Sequence, residues 1–318
     1  MHPGVGRPQF LWKLRTRELA LGQRTLLMAI INVTPDSFSG DGLLRGSGGA
    51  HPDAALQWVP EVGIRKLAVA AAVEAVDAGA DIVDLGAEST RPDATPISSQ
   101  EEQQRLLPVL EELLRQRPAA VVSVDTYHAA TAQAALRCGA EIINDVSGLQ
   151  WDPSMQSVAA QTGCGLVLMH TRDRPAAWRA LPEMQSDQVV PLVFAGLCEQ
   201  LAQAQAAGIR SDRIVIDPGF GFGKRGAENF ALLAGLERLH QLGQPLLVGL
   251  SRKSFLGEVV RPLQSGSLQI AQARSTATTA GNVAAILAGA HILRVHHLQH
   301  AREAAAVADA LLQQSSRR

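Results

Sequence analysis

Short apolar runs that end in polar residues recur along the whole chain. Eight such runs finish at residues able to bind ions or bases: Asn32, Asp84, Asp125, Asn144 with Asp145, Met169 with His170, Asp217, Ser251 to Lys253, and Arg294 with His296. A buried strand that ends in this way presents its polar group at the edge of its sheet. Core packing alone is a poor explanation for the whole series, so these residues are candidates for function.

Helix-length segments separate the eight runs, which predicts alternating strands and helices. The predicted strands cover residues 25–31, 80–86, 121–124, 141–143, 165–168, 213–216, 245–249 and 291–295. The predicted helices cover residues 64–78, 98–117, 127–137, 153–162, 187–207, 229–241, 273–288 and about 300–313. This alternation predicts an α/β fold, a (β/α)8 TIM barrel whose reactive groups lie on its C-terminal face.

The N-terminal segment adds a small extension to the barrel. Residues 10–21 alternate partly with period 2, and Leu21-Gly22-Gln23 can form a turn, so we expect a hairpin or strand that covers the barrel bottom. No shift in composition marks a linker. We therefore expect one domain over residues 10–314, with flexible tails at 1–9 and 315–318.

A long Gly-rich segment follows the first strand. Residues 33–63 contain six glycines, and a loop of this length inside a compact domain is usually functional or disordered. A tolerated insertion remains an alternative for its middle portion, residues 44–60. The first part, residues 32–39, combines a strand end with turn-forming residues and polar ligands, which favours a functional role.

Composition limits the range of functions. With 46% hydrophobic and 19% charged residues, the chain is typical of a globular protein with a sizeable core. The formal net charge of −1 indicates neither nucleic-acid nor membrane-surface binding. Three cysteines, Cys138, Cys164 and Cys198, lack metal-ligand spacing and are interpreted as free core thiols. Neither a signal peptide nor an apolar run of about 18 residues is found, so we expect a cytoplasmic protein.

A Gly-rich loop follows the sixth predicted strand. Residues 217–224, from Asp217 to Lys224, contain three glycines that let the backbone approach a ligand closely. The spacing differs from that of a Walker loop. Asp217 can accept two parallel N–H bonds from an amidine-like heterocycle edge, or it can simply cap a turn. Phe222 can supply an apolar contact over the loop.

Other strand ends carry complementary groups. Asp125 and Asn144 end adjacent strands and suit a fused heterocycle with mixed donor and acceptor edges, unless they form a structural network. Arg294 and His296 point the same way from their strand and suit a diphosphate. The adjacent His297 is expected to point away and to be structural, and the role of His170 stays open.

Seven motifs, in order, resemble the signatures of the dihydropteroate synthase family. They are Ile30 to Ser39, Asp84 to Pro92, Ser123 to Thr126, Ile143 to Gly148, Asp217 to Lys224, Ser251 to Ser254, and Arg294 to His296. The similarity spans residues 10–312. The family condenses 4-aminobenzoate with 6-hydroxymethyl-7,8-dihydropterin diphosphate in folate biosynthesis, giving 7,8-dihydropteroate and diphosphate, and it is the target of sulfonamides.

The resemblance implies a role for each matching residue. The residues implied to bind the pterin are Asp125, Asn144, Met169, Asp217 and Lys253. Those implied to bind the diphosphate are Asn32, Arg91, Arg294 and His296, with Asn32 giving an oxygen to Mg²⁺. Those implied to flank aminobenzoate are Thr90, Arg91, Pro92, Phe222 and Ser251. Asp125, Lys253, Arg294 and His296 are the implied catalytic residues, in a dissociative substitution that needs no strong general base. The resemblance also implies a homodimer formed through the late helices.

Three departures from the family pattern accompany the resemblance. The first loop carries an insertion between Gly42 and Gly63, Ala87 replaces a glycine, and His297 replaces an acidic residue. A non-catalytic pterin-binding homologue therefore remains an alternative. A pterin-dependent corrinoid methyltransferase is a further alternative, but it has no use for the Ser89 to Pro92 loop or for the Arg294 and His296 cluster.

Overall fold

A two-stranded hairpin and eight parallel strands are present in the part of the chain that the structure describes. The computed structural model describes residues 7–34, 61–89, 94–263 and 267–315. The hairpin strands are β1 (Phe10–Lys13) and β2 (Glu18–Leu21). The parallel strands are β3 (Leu26–Asn32), β4 (Ile82–Gly86), β5 (Val122–Asp125), β6 (Ile142–Asp145), β7 (Gly165–Met169), β8 (Ile214–Asp217), β9 (Leu247–Val248) and β10 (Ile292–Val295).

Helices alternate with these strands, as the sequence predicts. They are α1 (Glu61–Asp77), α2 (Ser99–Gln116), α3 (Ala129–Arg137), α4 (Met155–Thr162), α5 (Ser186–Ala206), α6 (Gly226–Ala234), α7 (Ser254–Val260), α8 (Ser267–Leu287) and α9 (Leu298–Ser315). Ser98 begins α2 by accepting a hydrogen bond from the Glu101 backbone N–H at 3.2 Å, which satisfies one of the unpaired donors of the first turn.

The eight parallel strands form a ring. Their hydrogen-bonded order is β8, β7, β6, β5, β4, β3, β10 and β9. A parallel bridge between Ile216 and Leu246 joins the two ends of this order. The prediction of a (β/α)8 barrel is therefore confirmed.

The strands bury both of their faces, which explains why they read as nearly continuous apolar runs. Outward-facing residues such as Val83, Leu166 and Leu293 pack in one large core with the helices. A smaller inner core fills the lower part of the barrel, and its members include Met28, Ile82, Ile142, Val167, Val215, Leu247 and Ile292.

The hairpin closes the bottom of the barrel, as predicted. Trp12 is 1% exposed, packs in the inner core and donates from Nε1 to the Arg213 carbonyl at 2.8 Å. The predicted position of the turn is wrong. The chain turns between β1 and β2, where the Leu14 N–H bonds the Arg17 carbonyl at 2.8 Å. Gly22, with a φ of +101°, instead directs the chain from the hairpin towards the barrel.

The helical predictions differ from the structure at three places, one of them being α8, which begins at Ser267 and not at residue 273. The helix expected over 229–241 is divided: α6 ends at Ala234, and a 3-10 helix (Leu236–Leu242) follows. The side chain of Val190 lies where a Cβ at Gly235 would be, so α5 packs directly against this break. The short helix α7 was not predicted, because seven residues with a central glycine give no clear helical period.

The segment before the hairpin contacts the barrel through Arg7. The Arg7 side chain is 2% exposed and donates to Thr25 Oγ1 at 2.8 Å, and its Nη2 lies 3.1 Å from Asp309 Oδ1 on α9. Ser315 belongs to α9. Residues 1–6 and 316–318 lie outside the described residues, as does most of the long first loop, residues 35–60. The single domain remains a prediction.

The cysteines are free, as predicted, but only one lies deep in the core. Cys164 is buried, Cys138 is partly buried and Cys198 is exposed, so the core assignment is wrong for Cys198. Among the described residues, none of the helices has the length and apolar character needed to cross a membrane.

Candidate active site

Six barrel strands bring candidate site residues to one end of the barrel. The residues are Asp84 (β4), Asp125 (β5), Asn144 (β6), Met169 (β7), Asp217 (β8) and Arg294 (β10). In the strand register, Asp125 lies beside Asn144 and Met169 lies beside Asp217. Because the C-terminal ends of parallel barrel strands share one face, these side chains surround a common mouth.

Arg294 is held between two carboxylates in this mouth. Its Nε donates to Asp84 Oδ2 at 2.6 Å, and its Nη2 donates to Asp125 Oδ2 at 2.6 Å. Asn144 Nδ2 donates to the same Asp84 oxygen at 3.1 Å. The sequence predicts that Arg294 binds diphosphate and Asp125 binds the pterin, and the structure brings both side chains into one hydrogen-bonded group.

Burial determines the electrostatics of this group. Asp84 is fully buried, and Asn144 is 3% exposed. Burial raises the pKa of Asp125 to about 7, with the Arg294 charge opposing the shift and nearby carboxylates adding to it. Burial also raises the pKa of Asp217, against the hydrogen bond from the Gly219 N–H. Among the described residues, the mouth therefore combines acceptors with the Arg294 guanidinium and suits a neutral or electron-poor heterocycle.

The loop after β8 has a conformation that requires its glycines. Gly219, Gly221 and Gly223 have φ values of +68°, +79° and +70°, in the left-handed region that favours glycine. Asp217 Oδ1 accepts from the Gly219 N–H at 2.7 Å, and Asn229 Oδ1 accepts from the Gly221 N–H at 2.7 Å. These bonds fix a tight coil beside the mouth.

Lys253 and Phe222 meet on the side of the mouth formed by this coil. Lys253 Nζ lies 4.3 Å from the centroid of the Phe222 ring, within the range of a cation–π interaction. Trp178 packs edge-on against the same ring, with centroids 5.1 Å apart. Burial lowers the pKa of Lys253 to about 8, and the Asp217 carboxylate opposes that shift. Among the described residues, none accepts a hydrogen bond from Lys253 Nζ, so its donors are available to a ligand.

Ser251 and His296 form a second polar pair near the ends of β9 and β10. Ser251 Oγ lies 3.0 Å from His296 Nδ1 and accepts from the His296 backbone N–H at 3.3 Å. Burial lowers the pKa of His296 to about 3, and the charges of Arg252 and Arg294 lower it further. His296 is therefore neutral at pH 7. His297 is exposed, with Nε2 3.1 Å from Arg252 Nη2.

Comparison with known proteins assigns the chain to a family. A family model described as pterin binding enzyme matches residues 28–296. The chain is 38% identical over 290 residues to the dihydropteroate synthase of Escherichia coli (strain K12), an alignment that covers 90% of this chain and 91% of that protein. The chain belongs to the dihydropteroate synthase family.

Two further relatives extend this comparison. A mitochondrial folate synthesis bifunctional protein of Pisum sativum is 37% identical over 305 residues, which cover 92% of this chain and 55% of that protein. The chain thus spans about half the length of this plant relative. The structure of Xanthomonas albilineans dihydropteroate synthase with 4-aminobenzoic acid matches with a TM-score of 0.78 and 36% identity, over 96% of this chain and 98% of that one.

Some predicted site residues of this dihydropteroate synthase family member lie outside the described residues. They are Thr90, Arg91 and Pro92, together with the insertion in the first loop. Asn32 ends β3 and is partly buried, and its side chain has no hydrogen-bond partner within the described ranges. Ala87, the departure in the second signature, is fully buried.

The sequence named Asp84 as a candidate at a strand end but assigned it no binding role. Its fully buried carboxylate within the apolar run Ile82–Gly86 is the signal for such a role, because a buried charge requires a partner. Glu88, which follows Asp84 in the same signature, also received no role from the sequence; the Tyr127 hydroxyl donates to Glu88 Oε1 at 2.7 Å.

Proposed function

We propose that this chain catalyses the condensation of 4-aminobenzoate with 6-hydroxymethyl-7,8-dihydropterin diphosphate, giving 7,8-dihydropteroate and diphosphate. The hydrogen-bonded group of Asp84, Asp125, Asn144 and Arg294 at the barrel mouth carries this proposal, because it offers matched donors and acceptors to a flat heterocycle. The name of the E. coli relative supports the reaction, and the 4-aminobenzoic acid in the X. albilineans structure supports the second substrate.

The pterin would bind through its hydrogen-bonding edges. Asp217 uses Oδ1 for the loop N–H and has Oδ2 as an acceptor for the amidine-like edge. Asn144 supplies an amide oxygen, since its Nδ2 is bonded to Asp84. Met169, which is 3% exposed, lines the same pocket, and Lys253 donates from its ammonium. These contacts would hold the ring with its methylene group towards Arg294.

The diphosphate would lie on the donor side of the mouth. A guanidinium has five N–H donors, and Arg294 uses two of them for Asp84 and Asp125, so three can face the leaving group. His296 contributes a hydrogen bond without charge, since its pKa is lowered to about 3 by burial. Arg91, which is outside the described residues, is proposed as a further cation at this position.

The chemical step is a substitution in which the leaving group departs first. The C–O bond to diphosphate breaks, and the electron pair leaves with oxygen while Arg294 stabilises the charge that develops there. The pterin methylene becomes electron-poor, and Asp84 and Asp125 stabilise it through their negative field. The 4-aminobenzoate nitrogen then forms the C–N bond and loses one proton. Exclusion of water during this step prevents hydrolysis of the cation.

A magnesium ion is proposed to accompany the diphosphate. Magnesium binds substrate phosphates with few protein ligands and keeps several waters, so a single Asn32 oxygen fits this mode. In the described part of the chain, no group of three or more acidic, His or Cys side chains could hold a metal ion, which also favours binding through the substrate. The ion would neutralise part of the leaving-group charge.

A homodimer is proposed from the late helices. Val259 on α7 is 58% exposed, and Val307 and Leu311 on α9 are 60% and 51% exposed. The family resemblance implies this dimer, and these exposed apolar side chains on the late helices are candidates for its interface. Light scattering coupled to gel filtration measures the mass in solution, and a monomeric mass at micromolar concentration would contradict this proposal.

The reaction is tested by product analysis. The purified chain is incubated with both substrates and Mg²⁺, and 7,8-dihydropteroate is detected by mass spectrometry, with 4-aminobenzoate omitted as the control. Formation of the product only in the complete mixture is the expected result. Tight binding of the pterin diphosphate without product would instead indicate the non-catalytic pterin-binding homologue.

A further inference from the structure

Lys224 is a buried lysine for which the proposed reaction defines no role. It ends the Gly-rich loop of residues 217–224 and is 4% exposed. Its Nζ donates to the Gly219 carbonyl at 2.8 Å and to the carbonyls of His170 and Phe222 at 3.3 Å each. Burial lowers the pKa of Lys224 to about 7, and in the protonated form its ammonium group has three N–H donors, all of which these carbonyls occupy. Lys224 therefore has no donor left for a substrate or an anion.

Lys253 differs from Lys224 in its hydrogen bonding. The structure places both lysines around the same loop, since a Cβ at Gly221 would lie 3.3 Å from Lys253 Cδ. Within the described residues, Lys253 Nζ contacts the face of the Phe222 ring and donates no hydrogen bond. Lys253 is thus available to a ligand, whereas Lys224 donates its hydrogen bonds to backbone carbonyls.

The three carbonyls belong to parts of the chain that contact different substrates in the proposed function. His170 follows Met169, and Gly219 follows Asp217 by two residues, so both lie beside residues assigned to the pterin. Phe222 lies beside Lys253, on the side assigned to aminobenzoate. The Lys224 ammonium group therefore connects the segments beside the pterin residues to the segment that is assigned to aminobenzoate.

Asn229 on α6 fixes the same loop from the other side. Its Nδ2 donates to the Lys224 carbonyl at 2.9 Å, and its Oδ1 accepts from the Gly221 N–H at 2.7 Å. The side chain of Asn229 is 1% exposed. Two buried side chains thus satisfy the polar groups of a loop that cannot form regular secondary structure, because three of its glycines have left-handed φ values.

We propose that Lys224 is a positioning residue that fixes Phe222 relative to Asp217 and so sets the distance between the two substrates. This inference rests on the proposed function for the identity of the substrates. In this proposal, the Lys224 ammonium group binds backbone carbonyls of the site and does not bind diphosphate. Correct spacing matters because the attacking nitrogen must reach the pterin methylene at near-contact distance.

The test compares Lys224→Met with Lys66→Met, a matched control at an exposed position of α1. We expect Lys224→Met to lower kcat/KM for 4-aminobenzoate by about 100-fold, the cost of a misplacement of about 1 Å. The affinity for inorganic diphosphate, measured by calorimetry with Mg²⁺ present, should change less than about twofold, since no phosphate contact is removed. Lys66→Met should match the parent chain in both.

Hydrogen exchange supplies a readout that is independent of turnover. In Lys224→Met, amide exchange should accelerate in the peptide covering residues 217–229 and should remain at parent rates in the strands β4 to β6. Lys224→Arg should fail to restore kcat/KM, because the planar guanidinium cannot direct its donors at three converging carbonyls. If Lys224→Met does not fold, Asn229→Ala should show the same loss and the same local acceleration.

Several outcomes would overturn the proposal. A loss of inorganic diphosphate affinity as large as the loss in kcat/KM would make Lys224 an anion-binding residue. A lowered Tm with unchanged kinetic constants, measured well below that Tm, would make it only a stabilising residue. If the parent chain forms no product, the proposed function fails, but unchanged exchange over residues 217–229 in the variant would separately overturn the positioning role.

Discussion

At the scale of single residues, Lys253 connects the electrostatics of the mouth to substrate binding. Burial lowers the pKa of its ammonium group to about 8, with the Asp217 carboxylate opposing the shift and the Arg294 charge adding to it. The charged form donates to the pterin and attracts the diphosphate. The neutral form binds both groups more weakly. Binding should therefore depend on pH in the range just above neutrality.

We expect the affinity for pterin diphosphate to fall as the pH rises through about 8, because the Lys253 ammonium then loses its proton. The Kd should increase at most about tenfold per pH unit above that point. Calorimetry between pH 6.5 and 9.5 measures this. Lys253→Arg stays charged and should lack this decline, and Lys253→Ala should bind weakly at every pH. An identical decline in the parent chain and in Lys253→Arg would assign the titration to the ligand.

Arg294 has two functions that one substitution should reveal separately. Arg294→Met removes donors from the diphosphate position and leaves the fully buried Asp84 without its cation. We expect weaker binding of inorganic diphosphate, a smaller effect on 4-aminobenzoate binding, and a loss of about 3 kcal/mol in the free energy of unfolding. Calorimetry and urea unfolding measure these quantities.

The double variant Arg294→Met with Asp84→Asn serves as the control for the loss of stability. It should unfold at a higher urea concentration than Arg294→Met alone, because the fully buried carboxylate of Asp84 is then absent. Equal loss of both ligands together with a large fall in stability would instead indicate a general folding defect in Arg294→Met.

At the scale of elements, the start of β10 is joined to the N-terminal segment through His291. Its Nδ1 accepts from the Leu246 N–H at 3.0 Å, and its Nε2 lies 2.9 Å from the Pro8 carbonyl. The ring must therefore be neutral with the proton on Nε2. Burial lowers its pKa to about 4, Pro8 opposes the shift, and the Arg7 and His240 charges add to it.

This lowered pKa predicts a loss of stability in acid. The unfolded chain binds a proton at His291 near pH 6.5, whereas the folded chain binds it only near pH 4. Stability should therefore decrease as the pH falls between these values, by about 2 kcal/mol from pH 7.5 to pH 5 at this residue. Urea unfolding at both pH values measures the change in the parent chain and in His291→Gln.

Over this pH range, the free energy of unfolding of His291→Gln should decrease by about 2 kcal/mol less than that of the parent chain, because the variant cannot take up the proton. His300→Gln, at an exposed position of α9, is the matched control and should follow the parent chain. A pH dependence in His291→Gln as steep as that of the parent chain would show that other groups cause the acid sensitivity.

The elements that the sequence predicts well are those with a strong local signal. Buried barrel strands read as apolar runs because both faces are covered, and each run lay within about two residues of the observed strand. The hairpin turn was misplaced because Gly22 carries the strongest turn signal, yet its left-handed φ serves the passage from the hairpin to the barrel. The break after α6 depends on contact with Val190, which no local pattern reveals.

At the scale of the whole molecule, the order of the barrel determines which residues meet. Asp84 and Arg294 are 210 positions apart in sequence, and they meet because β4 and β10 both pair with β3, which lies between them. The sequence identified most of the residues at the mouth from their places at strand ends. It could not show that Arg294 bridges two carboxylates or that Lys224 bonds three carbonyls, because these partners come from different strands and loops.

The most direct test of the central claim is the rate of diphosphate release by the purified chain, followed continuously with pterin diphosphate, Mg²⁺ and 4-aminobenzoate. Release that requires 4-aminobenzoate and is nearly abolished in Lys253→Ala is the predicted result, since the barrel mouth is then the site of condensation. Release at the same rate without 4-aminobenzoate would indicate hydrolysis. An absence of release despite tight pterin binding would contradict the proposed condensation.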